Sequence, residues 1–254
     1  MKFFKKFDVT KVKALSFDLD DTLYDNHPVI KRAEEIFAVY LQNRYHLPPS
    51  FGTDSFWSAM KLAEGLRHPE FKEDVTKLRV HTLYEGFKAL NRPLPQGMKE
   101  AEELVAYFVS IRSKAKVPDS SFKLLSQLRE HYPVAALSNG NSDLKVSGLF
   151  NSFDYNLRPS FSGFKAKPHA DLFNAYASML KIKPENILHV GDEPYSDVHG
   201  AVYAGCQCAW LYRGFAGDSP GFNEIRVLPQ VVLSNLCELK ELLNISTFRD
   251  KKLR

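Results

Sequence analysis

The sequence has 254 residues, of which 44% are hydrophobic and 25% are charged, and its formal net charge is +4. These values are typical of a globular protein with one or two domains. No apolar stretch is long enough to span a membrane, and no basic stripe interleaved with aromatic residues indicates nucleic-acid binding. The three cysteines, Cys206, Cys208 and Cys237, lack the spacing of a disulfide framework, which favours a reducing cytoplasmic location.

The first predicted element is a buried strand that ends in aspartates. Residues 12–17 are mostly apolar and β-favouring, and Asp18, Asp20 and Asp21 follow them. Crowded carboxylates repel one another and lose hydration, and a bound metal ion relieves both effects. A straight strand places Asp18 and Asp20 on one face, and Thr22 is available to hydrogen-bond a carboxylate. An isolated Asp-x-Asp is also compatible with a plain acidic turn.

The next part of the chain reads as almost purely helical. Apolar residues recur there at helical spacing, and no strand pattern interrupts them. The predicted helices cover residues 29–45, 53–66, 69–90 and 98–111.

Strand and helix patterns alternate after this helical block. The predicted strands cover residues 133–138, 154–157, 187–191, 206–212 and 230–233, and the predicted helices cover residues 119–130, 168–180 and 195–204. Such alternation indicates an α/β fold with a parallel sheet and helices on both faces. Because the helical block interrupts the alternation, we expect a core of residues 1–25 and 112–254, with an inserted helical domain at 26–111.

Polar residues follow three of the predicted strands. Asp18 and Asp20 follow the first strand, and the strand at 133–138 ends in Ser138, which Asn139 follows. Asp192 follows the strand at 187–191. In open parallel sheets, sites form at the carboxyl ends of the strands, so we expect these side chains to share one site.

These residues resemble the motifs of the haloacid dehalogenase-like (HAD) hydrolases, most of which are phosphatases. The motifs occur in the order of that family: Asp18-x-Asp20-x-Thr22, Ser138-Asn139, Lys167-Pro168 and Gly191-Asp192 followed by Asp197. The resemblance implies a Rossmann-like parallel-sheet core, an inserted helical cap that closes over the site, and Mg²⁺ as the cofactor.

The resemblance also implies that Asp18 and Asp20 carry the chemistry. Asp18 is expected to attack phosphorus and form an aspartyl-phosphate, since a carboxylate with a pKa near ~4 needs no base to act as a nucleophile. Asp20 is expected to protonate the leaving alkoxide and then to take a proton from the hydrolytic water.

Phosphate binding is assigned by the same resemblance to Ser138, Asn139 and Lys167. Ser138 and nearby backbone N–H groups would bind phosphoryl oxygens, and Lys167 would offset negative charge on the nucleophile and the phosphoryl group. Lys165 is a rival for the lysine role, and Lys167 is preferred because the lysine of the family precedes the proline.

The expected Mg²⁺ ligands are Asp18, Asp192 and the backbone carbonyl of Asp20, the last implied only by the resemblance. Carboxylate oxygens are hard ligands that suit Mg²⁺. Asp197 is expected either to orient the lysine or to lie in the second shell of the metal.

A narrower similarity points to the substrate. Residues 14–30, 74–79 and 187–192 are similar to bacterial phosphatases of riboflavin metabolism that act on flavin mononucleotide and 5-amino-6-(5-phospho-D-ribitylamino)uracil. The implied partner is a small phosphate ester, and the oligomeric state stays open.

Alternative functions are a phosphatase for a sugar phosphate or phosphoglycolate, a phosphomutase, a haloacid dehalogenase and a non-enzymatic phospho-acceptor module. The last two need no acid at Asp20.

Overall fold

The computed structural model describes residues 1–48, 52, 54–159, 163–217, 219 and 225–245. Its contacts divide the chain into two compact units. The sheet unit comprises residues 1–25, 117–138 and the described residues from 148 onward, and the helical unit comprises the described residues of 26–116 and 139–147. The helical unit therefore includes 112–116 and 139–147, which the sequence-based boundaries placed in the core.

The sheet unit is built on seven strands. They are β1 (Lys2–Phe3), β2 (Ala14–Phe17), β3 (Val134–Leu137), β4 (Tyr155–Leu157), β5 (Ile187–Gly191), β6 (Gln207–Leu211) and β7 (Val231–Leu233). Their order is β1-β7-β6-β5-β2-β3-β4. The pairs from β7 through β4 are parallel, and β1 pairs antiparallel with β7. This arrangement confirms the predicted α/β class, although the two-residue exposed strand β1 gave no sequence pattern.

Helices account for most of the remaining regular structure. Those of the helical unit are α1 (His27–Tyr45), α2 (Asp54–Arg67), α3 (Val75–Ala89) and α4 (Met98–Arg112). Those of the sheet unit are α5 (Asp119–Arg129), α6 (Asp171–Leu180), α7 (Gly200–Tyr203) and α8 (Glu238–Leu242). Among the described residues, no helix is both long and apolar enough to cross a membrane.

The register of the central strands positions the site. Phe17 in β2 lies opposite Val190 in β5 and opposite Ala136 in β3. Every residue of these three strands is buried, as expected for a parallel sheet that is covered on both faces. Because the three strands run in the same direction, their carboxyl ends lie at one edge of the sheet.

The predicted helix at 69–90 is wrong in its first turns. Residues Pro69–Glu73 form a 3₁₀ helix, and α3 begins only after Asp74. The Asp74 carboxylate accepts hydrogen bonds from the backbone N–H groups of Thr76 (3.0 Å) and Lys77 (2.9 Å). This N-cap satisfies donors of the first turn of α3 and so fixes a helix start at that point.

The predicted helix at 168–180 also begins later than expected, at Asp171. The backbone N–H of His169 donates to Ala166 O at 2.9 Å, and the Asp171 carboxylate accepts from the backbone N–H of Lys165 at 3.0 Å. These bonds hold residues 165–170 as a turn before α6, and this turn carries Lys167.

Candidate active site

Asp18 is fixed directly beyond the end of β2. Its backbone N–H donates to Val190 O at 2.9 Å, which extends the β2–β5 ladder by one residue. The side chain is 14% exposed. Asp18 is therefore held by the sheet backbone at the carboxyl edge, with a small part of its side chain open to solvent.

The chain makes one tight turn after Asp18. The backbone N–H of Leu23 donates to Leu19 O at 2.9 Å, and Asp21 has a φ of 57°, a left-handed conformation that Asp tolerates better than most residues. The turn returns Tyr24 beside Asp20, and the Tyr24 hydroxyl donates to Asp20 Oδ1 at 2.5 Å. Because Tyr24 is buried, its hydroxyl holds the Asp20 carboxylate in a fixed orientation.

Lys167 lies between two carboxylates. Its Nζ is 2.7 Å from Asp18 Oδ1 and 2.7 Å from Asp197 Oδ1, and its side chain is 1% exposed. Burial alone would lower the pKa of Lys167, but Asp18 and Asp197 outweigh it and raise the pKa above its ordinary value. Lys167 is therefore a permanent positive charge in contact with Asp18.

The two carboxylates that contact Lys167 differ in their titration. Burial raises the pKa of Asp18 well above its usual range, and Lys167 opposes this effect only in part. Burial would also raise the pKa of Asp197, but Lys167 and His189 outweigh it and the pKa lies below its ordinary value. Asp197 is thus the stable counter-ion of Lys167, whereas Asp18 needs further positive charge to stay ionised.

Asp197 is itself held by two further groups. Its Oδ2 accepts from the backbone N–H of Glu193 at 3.0 Å, and its Oδ1 lies 3.2 Å from His189 Nε2. The other nitrogen of His189 lies 2.9 Å from Ser16 Oγ, so this histidine is a satisfied core residue. A Cβ at position 191 would collide with the Asp197 carboxylate, which explains why glycine precedes Asp192.

Asp192 follows β5 and is buried. Its Oδ1 accepts from Thr22 Oγ1 and its Oδ2 accepts from Ser219 Oγ, each at 2.8 Å. The indole N–H of Trp210 donates to the backbone carbonyl of Asp192 at 2.7 Å. Burial, together with repulsion from Asp197, raises the pKa of Asp192 to about 7. The two hydroxyls orient this carboxylate but bring no positive charge to it.

The carboxylates of Asp18, Asp192 and Asp197 offer oxygens that lie within 4.8 Å of one another. Two of the three have raised pKa values because burial and mutual repulsion disfavour their charged forms. A divalent cation would remove both penalties, and an all-oxygen set suits Mg²⁺. The residues present therefore fit the ion. The side chain of Asp20 is not part of this oxygen set.

The other residues singled out by the sequence are placed as follows. Ser138 is buried one residue beyond β3, and its backbone N–H donates to Leu157 O at 3.3 Å. Asn139 follows it and is grouped by its contacts with the helical unit. Lys165 is exposed, and the ammonium group that contacts Asp18 is that of Lys167.

Sequence reasoning missed three residues that contact the site. Tyr24 donates to Asp20, Ser219 donates to Asp192, and Trp210 donates to the backbone of Asp192. The sequence places Trp210 in the predicted strand at 206–212, but the pairing of that strand with β5, which brings Trp210 to Asp192, is visible only in the structure. Ser219 had no sequence signal, since it is 27 residues from Asp192 and outside any motif.

Comparison with known proteins covers most of the chain. The family described as haloacid dehalogenase-like hydrolase matches residues 12–205. The chain is 32% identical to the 5-amino-6-(5-phospho-D-ribitylamino)uracil phosphatase YigB of Escherichia coli (strain K12), over 96% of this chain and 100% of that protein. It is 26% identical to a glyceraldehyde 3-phosphate phosphatase of Pyrococcus furiosus, over 96% and 98% of the two chains.

The fold has a similar solved counterpart. The 2-haloacid dehalogenase from Pseudomonas syringae pv. Tomato DC3000 aligns with a TM-score of 0.80 at 26% identity, over 92% of this chain and 98% of the other. Enzymes named for two different reactions therefore resemble this chain, and the side chains at the site must distinguish between them.

Proposed function

The chain belongs to the haloacid dehalogenase-like hydrolases and is a phosphatase of that family, and we propose that it hydrolyses a phosphate ester on a ribityl chain. The substrates to test first are 5-amino-6-(5-phospho-D-ribitylamino)uracil and flavin mononucleotide. The observation that carries this choice is the 32% identity, over essentially the whole length of both chains, to the E. coli enzyme named for the first compound.

The nucleophile in this proposal is Asp18. Its Oδ1 is engaged by Lys167 at 2.7 Å, which leaves Oδ2 to attack phosphorus. The new Oδ2–phosphorus bond forms as the bond from phosphorus to the ester oxygen breaks, giving an aspartyl-phosphate and an alkoxide. Lys167 stabilises the ionised form of Asp18 and the charge that develops on the phosphoryl oxygens.

Asp20 moves the protons in both half-reactions. In its protonated form it gives its proton to the leaving alkoxide, and its carboxylate then accepts a proton from the water that attacks the aspartyl-phosphate. That second attack breaks the Oδ2–phosphorus bond, releases inorganic phosphate and restores Asp18. The hydrogen bond from Tyr24 fixes the orientation of Asp20 for both transfers.

Phosphate binding falls to Ser138, Asn139 and Lys167. The Ser138 hydroxyl and the backbone N–H groups that follow β3 are donors suited to phosphoryl oxygens. Mg²⁺, held by Asp18, Asp192 and the backbone carbonyl of Asp20, would supply the positive charge that a phosphate dianion needs beside these carboxylates. Asp197 keeps Lys167 in place as its counter-ion.

Dehalogenation is the competing chemistry on this fold. A dehalogenase of this family needs neither an acid at position 20 nor a metal, whereas this chain has Asp20 and a carboxylate set that fits Mg²⁺. A second candidate substrate is a triose phosphate, which is favoured by the similarity to the glyceraldehyde 3-phosphate phosphatase of P. furiosus.

Two measurements test the proposed function. First, kcat/KM is determined for both ribityl phosphates, glyceraldehyde 3-phosphate, sugar phosphates and phosphoglycolate, with release of halide from 2-haloacids measured in parallel. We expect the ribityl phosphates to rank highest and no halide to be released. If both rank at least ~10-fold below an unrelated ester, a difference of about 1.4 kcal/mol in transition-state stabilisation, the substrate assignment is wrong.

The second measurement concerns the metal. Excess chelator should abolish turnover and added Mg²⁺ should restore it, because the charged forms of Asp18 and Asp192 are disfavoured without a cation. Full activity in excess chelator would contradict the proposed Mg²⁺ requirement while leaving the ranking of substrates unaffected.

A further inference from the structure

We propose that the helical unit contains a separate transition-metal site, formed by Glu64, His68 and His81, which binds Zn²⁺. Each of these residues offers one ligand atom, and the three atoms lie within 4.8 Å of one another. The cluster belongs wholly to the helical unit and shares no residue with the proposed Mg²⁺ ligands.

Helix geometry brings the three side chains together. The backbone N–H of His68 donates to Glu64 O at 2.9 Å, so the helical hydrogen-bond pattern of α2 continues to His68. His68 directly follows the last residue of α2 and lies four residues, about one helical turn, after Glu64. His81 comes from α3, whose Gly86 permits a close approach of α2, since a Cβ there would collide with the Trp57 ring.

Glu64 is a buried carboxylate. It is only 1% exposed, and its Oε1 accepts from Arg67 Nη1 at 2.6 Å. The Arg67 side chain is 62% exposed, so its charge is largely solvated and compensates the buried carboxylate weakly. A cation bound between Glu64 and the two histidines would stabilise this carboxylate more effectively.

His68 is oriented as a metal ligand commonly is. Its Nδ1 lies 3.2 Å from Glu70 Oε1, which favours the tautomer with the proton on Nδ1 and leaves Nε2 as an acceptor. Ligating histidines usually donate their other ring N–H to a carboxylate in this way, which fixes the ring and raises its basicity. The proposal assigns Nε2 of His68 to the metal and Glu70 to its support.

Phe71 forms an apolar wall beside both imidazoles. Its ring stacks on His68 at a centroid distance of 4.7 Å and contacts His81 at 4.5 Å. The two imidazoles are 5.3 Å apart. Such packing restricts the rotation of both rings, so the ligands are partly preorganised before any metal binds.

The donor set selects the metal. Two imidazoles and one carboxylate suit Zn²⁺ and related transition metals, with a fourth position left for water, whereas Mg²⁺ prefers oxygen ligands alone. The chain would therefore hold two chemically different ions, one at each set of ligands.

The test is a Zn²⁺ titration of the full-length chain, with any affinity tag removed and metals stripped, in saturating Mg²⁺ so that the aspartate site is filled. We expect one Zn²⁺ per chain with a Kd of about 1 µM or tighter, and Co²⁺ as a probe should give visible absorption bands of a low-coordinate site. Zn²⁺ should raise the Tm. His81→Gln and Glu64→Gln should lose binding, and the exposed His131→Gln is the matched control that keeps it.

A variant at Glu70, which contacts His68 but does not bind the metal, keeps the test decisive if His81→Gln folds poorly. Glu70→Gln retains all three ligands and should weaken Zn²⁺ binding by about 10- to 100-fold. The proposal is overturned if the intact chain shows no saturable binding tighter than about 10 µM, or if Zn²⁺ binds equally well to the variants at Glu64, Glu70 and His81.

Discussion

The ammonium group of Lys167 lies 2.7 Å from the Asp18 carboxylate, and both side chains are largely buried. Asp197 Oδ1 also lies 2.7 Å from Nζ. One lysine therefore balances two carboxylates, whereas the third, Asp192, accepts hydrogen bonds from the hydroxyls of Thr22 and Ser219. The cluster has an excess of negative charge, which adds to the effect of burial in raising the pKa values of Asp18 and Asp192.

The first prediction concerns Lys167. Lys167→Met should lower kcat by about 100- to 1000-fold, the usual cost of removing one preorganised electrostatic contact at a reacting centre. Lys165→Met is the matched control, because Lys165 is exposed and two residues away, and it should stay within about two-fold of the parent. Both values come from steady-state kinetics on the best substrate.

The stability of the same variant separates folding from catalysis. Removing one partner of a buried ion pair costs about 3–5 kcal/mol, so the Tm of Lys167→Met should fall in the metal-free protein. Added Mg²⁺ should recover part of that loss by supplying positive charge. Equal activity losses in Lys167→Met and Lys165→Met would contradict the assignment of the lysine role.

The second prediction concerns Asp18. Asp18→Asn should lower turnover by about 10⁴-fold or more, since loss of a covalent nucleophile is among the largest single effects known in enzymes. The fold should persist, because an amide of nearly the same shape replaces a carboxylate whose charged form is already disfavoured by burial. Circular dichroism and thermal unfolding check the fold, and substantial remaining turnover would remove Asp18 from the nucleophile role.

The third prediction concerns Asp20 and Tyr24. Asp20→Asn should slow alkyl phosphates far more than activated aryl phosphates, whose leaving groups barely need a proton. Tyr24→Phe keeps the buried ring but removes its hydrogen bond to Asp20. It should therefore also slow alkyl phosphates more than aryl phosphates, but by a smaller factor of about 10-fold. Tyr203→Phe, at a residue that is 75% exposed, is the control.

The ratio of the two substrate classes is the informative readout for these variants. A positioning role for Tyr24 lowers kcat for alkyl phosphates and leaves KM nearly unchanged. If Asp20→Asn slows both classes equally, Asp20 serves the metal or the fold instead of the proton transfers.

Much of this structure could be predicted because its determinants are local in sequence. Buried strands of four or five residues such as β3 and β5 are mostly apolar runs, and Asp18 and Asp192 directly follow runs of this kind. The end of a parallel strand is also where polar groups converge. The apolar runs that predict the strands and the polar residues that predict the site therefore support the same fold. The match to the family model confirms the resemblance.

The features that were missed depend on tertiary contacts or on backbone conformation. The hydrogen bond from Tyr24 to Asp20 requires Asp21 to adopt a left-handed conformation, which the residue type permits but does not dictate. Ser219 reaches Asp192 from a distant loop, with no spacing signal to report it. The N-cap at Asp74 was visible in principle, but the helical periodicity on both sides of it concealed the break.

The fourth prediction concerns Ser219, which donates to Asp192 Oδ2 at 2.8 Å. Outer contacts of this kind orient metal ligands, and losing one typically weakens metal binding by about 10- to 100-fold. Ser219→Ala should therefore raise the Mg²⁺ concentration for half-maximal activity by at least about 10-fold, with kcat recovered at high Mg²⁺. The exposed Ser234→Ala is the control, and an unchanged Mg²⁺ dependence in Ser219→Ala would show that the contact does not serve the metal.

The fifth prediction links pH, Mg²⁺ and stability through Asp192. Its pKa is raised to about 7 in the folded metal-free chain, above the value near ~4 of an unfolded aspartate. Between about pH 4 and pH 7, Asp192 is therefore protonated in the folded state and ionised in the unfolded state. Its contribution to the free energy of unfolding is fully present below about pH 4 and is lost as the pH rises towards 7. Mg²⁺ binds the ionised carboxylate and should reverse that loss.

Thermal unfolding with and without Mg²⁺ between pH 5.5 and 8 measures this linkage. The rise in Tm caused by Mg²⁺ should be larger at pH 8 than at pH 5.5, because at the lower pH the ion must displace a proton from Asp192. For the same reason the apparent Kd for Mg²⁺ should increase up to about 10-fold per pH unit below 7. Asp192→Asn should lose most of both effects, and a pH-independent Kd in the parent chain would show that Asp192 does not bind the ion through its ionised carboxylate.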